Sequence, residues 1–174
     1  DTQERVYTGY TENKGYNEKL QEYNGYGDFS EVTRPGTYYI EAPILGRSYS
    51  FRIGEDLYGQ ALKEACKQYY YSRCGVELAK EYAKEKARGA CHTGKSRFRE
   101  EAAVLEAAGG WHQFGDGSRE VEWAARNIGA LLFAYELYEE IFTDDTGIPE
   151  SGNGTPDILD EIRYETDWLL KMQN

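Results

Sequence analysis

Apolar side chains return every four positions at Leu57, Ala61, Ala65 and Tyr69, and Leu62 and Cys66 widen the stripe. That period predicts an amphipathic helix from Asp56 to Ser72. A second helical pattern runs from Glu120 to Phe142. Its apolar positions (Val121, Ala124, Ala125, Ile128, Leu131, Leu132, Tyr135, Leu137, Tyr138 and Ile141) cover much of the circumference, which predicts burial on more than one side. A third helix is expected from Thr155, a favoured N-cap residue, with Pro156 at the first helical position, through Ile158, Leu159, Ile162, Leu169 and Met172. Between the first two, Arg73 to Arg119 reads as loop, with room for short helices at Glu77–Arg88 and Arg97–Ala108.

The N-terminal pattern is of another kind. Val6–Tyr10 reads as a short strand, and Asn13 to Asp28 as loop or irregular edge strand. Pro35-Gly36 marks a turn. Thr37–Ile40 is rich in β-branched and aromatic residues, and Ser48–Ile53 alternates polar with apolar as its partner strand. These are too few strands for a complete β-sandwich. The period changes at Gly54, so residues 1–53 are read as the C-terminal part of a sandwich and residues 54–174 as a helical region. The fold class is mainly α. A helix buried on several sides needs more neighbours than three helices supply, so the chain is expected to be an incomplete piece, cut at both ends.

Composition narrows the function. The chain has 174 residues, 40% hydrophobic, with a net charge of −11. An acidic chain does not suit nucleic acid, whose phosphates call for a basic face. No apolar run approaches the length of a membrane span. There is no signal peptide, so the chain is cytoplasmic or its signal has been removed. The 16 tyrosines suit a sugar-binding surface, where an aromatic face stacks and a hydroxyl bonds, and they equally fill strands and half-buried helix faces.

Three clusters carry candidate chemistry. Both histidines and two of the three cysteines fall in one span: Cys74, Cys91-His92 and His112. Two Cys and two His make a closed tetrahedral zinc set, while a Cys74–Cys91 disulfide or free thiols with surface imidazoles are the plain alternatives. Trp111-His112-Gln113-Phe114-Gly115-Asp116-Gly117 is a tight glycine-bearing loop, and its Asp116 serves either as an N-terminal cap for the following helix or as a general base presented to a cleft. Pro149-Glu150-Ser151-Gly152-Asn153-Gly154-Thr155-Pro156-Asp157 offers oxygens at Glu150, Asn153 and Asp157 in the manner of a calcium loop, or is a turn leading into a helix.

At these clusters the chain resembles glycoside hydrolase family 9, in the branch whose catalytic barrel follows an immunoglobulin-like domain. Asp28-Phe29-Ser30 with Pro35–Ile40 is similar to the end of that domain, and Ser50–Gly54 through Tyr69–Gly75 to the entry into the first barrel helix. Ile148–Gly154 with Pro156–Glu161, and the closing Asp167–Gln173, are highly specific to the family. The resemblance implies the first helices of an (α/α)6 barrel, preceded by part of an immunoglobulin-like β-sandwich, in a secreted enzyme. It implies inverting hydrolysis of β-1,4-glucans by a base and an acid roughly 6.5–9.5 Å apart. The base is the second Asp of a Trp-(Tyr/His)-Asp-Ala-Gly-Asp motif, which falls on Asp116. The first Asp, which helps hold the water, is Gln113 here, and the small Ala is Phe114. The acid glutamate is expected outside this chain, with the remaining barrel supplied by further residues or another chain. Gln113 contributes no negative charge, so weakened hydrolysis or a carbohydrate-binding role is the alternative. The resemblance also implies a structural zinc on Cys74, Cys91, His92 and His112, and calcium at Glu150, Asn153 and Asp157.

Overall fold

The computed structural model describes residues 4–97 and 104–173. The chain divides into two compact units, Asp1–Leu57 and Tyr58–Asn174.

In the first unit, β1 (Glu12–Asn17) and β2 (Glu22–Tyr26) form an antiparallel ribbon with a register shift between Asn13 and Gly15. The Asn17 carboxamide accepts from the Lys19 and Leu20 amides and closes the turn. The segment read as loop or irregular edge is thus a bulged ribbon. Val6–Tyr10, read as a strand, carries no ladder. β3 (Gly36–Tyr38) pairs with β6 (Phe51–Ile53), as the alternation predicted, with Tyr38 opposite Phe51. Between them β4 (Glu41–Ala42) and β5 (Gly46–Arg47) close a small hairpin. Among the described residues these are two-stranded pairs, not two packed layers.

In the second unit, α1 (Gly59–Ser72), α3 (Val121–Leu137) and α4 (Asp157–Lys171) follow the predicted helices. Cys66 of α1 meets Ile158 and Ile162 of α4, with Leu62, Ile128 and Leu131 packed around them. A second core joins Tyr70 of α1 to Leu78, Ala83 and Ile148. The short α2 (Lys80–Ala83) and a 3₁₀ turn at Lys84–Lys86 occupy the expected helical stretch, closed by a Leu78–Arg88 bridge.

Three expectations change. The flanks of the stretch read as a helix at Arg97–Ala108 are instead β7 (Ser96–Arg97) and β8 (Val104–Leu105), paired antiparallel, and residues 98–103 lie outside the described set. Pairing across the span overrides local helix propensity there. α4 begins one residue later than expected: Asp157 and not Pro156 is the first helical position, and the N-cap Pro156 is extended and carries no side-chain bond. Buried Asp157 turns its carboxylate back onto the preceding loop. Its Oδ2 accepts from the Thr146 amide and hydroxyl, both at 2.6 Å, and from the Ser151 hydroxyl at 2.8 Å. Finally, α3 buries only Ala124 fully, while Val121, Leu132, Phe133, Leu137 and Tyr138 stay exposed.

Candidate functional site

The end of α1 is laced to the loop ahead of α3. His112 N donates to Ser72 O and Cys74 N to Gly110 O, each at 2.7 Å, and Arg73 bridges Trp111. Gly75 N donates to Cys91 O at 3.0 Å, drawing in a third segment. Gly110 makes this approach possible: its φ is +76, and a Cβ there would lie 2.7 Å from the Trp168 ring. No side chain other than hydrogen fits.

This lacing gathers the four predicted ligands. Their ligand atoms all lie within 4.8 Å of one another. The two sulfurs are 4.0 Å apart, so Cys74 and Cys91 are not a disulfide, and Cys91 Sγ is 3.3 Å from His112 Nε2. Ligands around one tetrahedral zinc stand about 3.3–3.8 Å apart, so the residues fit a zinc ion. His112 Nδ1 lies 2.9 Å from Gly117 O. A carbonyl only accepts, so Nδ1 donates to it and Nε2 is left facing Cys91. Burial would raise the Cys91 thiol, but His112, the Gly75 amide, His92 and Arg88 together pull it down to about 5. His92 holds φ at +51, an uncommon angle for a residue with a side chain, which lets adjacent residues both face the cluster. The third cysteine, Cys66, belongs to the helical core.

The loop after His112 is a closed ring of bonds. Gln113 N donates to Ser118 O at 3.1 Å, and Gly117 N to Phe114 O at 3.0 Å. Asp116 stands exposed at the tip, and its Oδ1 accepts from the Ser118 amide at 2.9 Å. It is not a cap for α3, whose N-cap residue is Glu120. The Ser118 amide and hydroxyl hold the Asp116 carboxyl below its ordinary range, so it is ionised at neutral pH. Gln113 turns to Glu120: Oε1 accepts from Glu120 N at 2.9 Å and Nε2 donates to Glu120 O at 3.0 Å. A cleft of about 300 Å³ opens beside this loop, walled by Tyr69, Trp111, Phe114 and Trp123 with Gln68 and Asn127 as polar groups.

Beneath the loop lies a charged network that sequence reasoning missed. Arg73, 5% exposed at its side chain, grips Glu150 with two bonds of 2.9 and 3.0 Å and donates Nε to Glu161 Oε2 at 3.2 Å. Its Nη2 also stands 3.1 Å from Glu161 Oε1, a charge contact without hydrogen-bond alignment. Trp111 Nε1 donates to the same Glu161 Oε2 at 3.2 Å. Burial opposes the charge on Arg73, but Glu161 and Glu150 outweigh it and raise its proton affinity. Burial pushes Glu161 up to about 7 against the pull of Arg73. It does the same to Glu165, one turn on, against a pull from the Trp111 backbone, and neither Glu165 oxygen has a well-aligned hydrogen-bond partner among the described residues. Arg88 donates to Cys91 Sγ at 2.9 Å and to Arg73 O at 2.5 Å, tying the network to the thiolate. The available signal was two glutamates, i and i+4, on the apolar stripe of the third helix.

The calcium set does not assemble. Glu150 spends both oxygens on Arg73, and Asn153 bonds Asp160 and the Thr155 amide. Asp157 holds the 146–151 loop, and only its Oδ1 is left buried without a partner. Three side chains bonded to three sets of partners do not fit a common ion, and no role is derived for one.

The sequence profile described as Glycosyl hydrolase family 9 matches residues 58–174, and that of a cellulase N-terminal ig-like domain matches residues 1–47. The chain is 34% identical over 173 residues to Endoglucanase D of Acetivibrio thermocellus, covering 97% of this chain and 28% of that protein. A metagenome-derived family 9 endoglucanase structure aligns with a TM-score of 0.73 at 38% identity, covering 85% of this chain and 28% of that one. A Zn-binding triple mutant of another family 9 endoglucanase aligns with a TM-score of 0.80 at 29% identity, covering 99% and 34% respectively. The chain spans about a third or less of the length of these relatives. With well over half of its residues inside the matched profile, the chain belongs to glycosyl hydrolase family 9.

Proposed function

We propose that this chain carries the water-activating side of the active site of a secreted glycoside hydrolase that cleaves β-1,4-glucan linkages with inversion. The observation that carries this reading is Asp116: ionised and exposed at the tip of a bonded loop whose Gln113 and Phe114 line an aromatic-walled cleft. An ionised carboxylate there can take a proton from a water molecule as that water attacks the anomeric carbon. Phe114 and Trp123 offer exposed rings to a sugar, with half-buried Tyr69 behind them, and Gln68 and Asn127 offer hydrogen bonds. The leaving oxygen is protonated by an acid glutamate outside this chain, in the remainder of the barrel. The exposed apolar face of α3 supports that partner, since it leaves unburied what further helices would cover.

Cys74, Cys91, His92 and His112 would hold a structural zinc, and the bond from His112 to Gly117 O would then connect the metal ligand to the residue beside Asp116. When bound, that ion supplies a rigid cross-link between three segments of chain.

A second reading, a binding protein descended from a hydrolase, is favoured by Gln113, which faces the Glu120 backbone and brings no charge to a water. The test is hydrolysis of soluble β-glucan by the complete barrel, with the anomer of the first product read by NMR. Hydrolysis with inversion, abolished by Asp116→Asn, supports the enzyme. Glucan binding without turnover selects the second reading.

A further inference from the structure

Loop 113–120 has to hold an exposed carboxylate still, and the device that does so is an amide. Gln113 presents one acceptor and one donor to the backbone of a single residue, Glu120 N at 2.9 Å and Glu120 O at 3.0 Å. The loop ends, seven residues apart, are thereby fastened by two bonds. A third comes from Gln113 N to Ser118 O. Glu120 has no side-chain cap of its own, and its N–H sits at the mouth of α3, where helix donors lack partners. In a capping box a side chain inside the helix reaches back to that N–H. Here the bond arrives from upstream and so closes a loop as well as starting a helix.

We infer that Gln113 is a positioning residue whose two-point clip on Glu120 fixes the loop carrying Asp116, so that glutamine here is a working part and not a decayed aspartate. The catalytic half of this rests on Asp116 being the base. An aspartate at 113 is one carbon shorter and, when ionised, has no donor for Glu120 O. It would leave that carbonyl facing a negative charge and release one side of the loop. Glutamate keeps the reach and the acceptor, and regains the donor only when protonated.

The experiment takes the zinc-loaded complete barrel with Gln113→Asp, Gln113→Met and Gln113→Glu. It reads hydrogen exchange of the 113–121 segment by mass spectrometry beside kcat and KM on soluble β-glucan. Gln113→Asp and Gln113→Met should speed exchange in that segment by about tenfold, the loss of roughly one net hydrogen bond. They should lower kcat by a larger factor than they raise KM, since Gln113 lines the cleft but spends its amide on Glu120. Gln113→Glu keeps the acceptor for Glu120 N and should lie between the wild type and Gln113→Met in exchange and in kcat, a graded rescue that a space-filling role would not produce. A rise in kcat for Gln113→Asp, or unchanged exchange in Gln113→Met, overturns the inference. A silent Asp116→Asn overturns the base assignment and the catalytic half with it, while the exchange data judge the clip by themselves.

Discussion

Replacing Arg73 by Met removes the cation at the centre of the site while keeping a flexible apolar stem. In the folded chain Arg73 is buried between Glu150 and Glu161 and lies over the rings of Tyr164 and Tyr70, at 4.6 and 5.3 Å. Glu161 is 2% exposed at its side chain and keeps only the Trp111 indole as a donor once Arg73 is gone. Removing one partner of a buried pair costs about 3–5 kcal/mol, mostly from the charge left behind. For a chain of this size that is roughly 6–20 °C in melting temperature. Protonation offers an escape. Glu161 already takes a proton near 7, and without Arg73 its affinity is higher still. The variant's native state therefore binds more protons than the wild type between 7 and that higher value, and the gap between them widens as pH rises. At pH 8 it should reach the full about 3–5 kcal/mol. At pH 5.5 it should shrink to about 1–3 kcal/mol for the bonds lost with Glu150. The assay is urea unfolding followed by tryptophan fluorescence, which reports the helical unit because Trp111, Trp123 and Trp168 all lie there. The double variant Arg73→Met/Glu161→Gln should regain at least about half of the loss at pH 8, since the orphaned charge is gone. A loss below about 1 kcal/mol at pH 8, or no recovery in the double variant, refutes the reasoning.

Three further outcomes are expected. Metal analysis should find one zinc per chain, and chelation should lower stability by about 4 kcal/mol if the ion is held a thousandfold above its dissociation constant; equal stability with and without chelator would exclude a structural ion. Glu165→Gln should match the wild type at pH 4.5 and exceed it by up to about 3 kcal/mol at pH 8, because a carboxyl raised to about 7 loses stability as pH climbs from its unfolded value through 7. A flat difference across that window, from paired urea titrations, would show that Glu165 is solvated. Gly110→Ala should cost at least about 2 kcal/mol through the Trp168 clash and its φ of +76, read from the shift in urea midpoint at unchanged slope, and a shift below half of that would count against the close approach.

The sequence announces what is periodic and hides what depends on register. α1 and α3 were legible because Leu62, Cys66, Ile128 and Leu131 recur at helical spacing and do meet in one core. The metal cluster was legible because both histidines share a short span with two cysteines. The start of α4 was misplaced by one residue because Asp157 looks like an ordinary first-turn acid and also fastens a loop six to eleven residues upstream. Glu161 and Glu165 gave a signal, charge on an apolar face, but Arg73, the partner of Glu161, is 88 residues away from it in sequence. Gln113 was read by what it replaces. Its bonds to Glu120 depend on a loop closure that no local pattern encodes.

Residues 72–75 and 109–112 hold each other directly, and that changes what the chain between them has to do. Lys95 is exposed, between His92 and β7. A tryptic cut after it would put Cys74, Cys91 and His92 on one piece and His112 with Asp116 on the other. The halves would still share two backbone bonds, the Arg73 grip on Glu150 and Glu161, and the ligand cluster. The site is a splice and not a span. Covalent continuity at this point is dispensable for its shape, so new ends or inserted sequence can be placed there while both halves still come together.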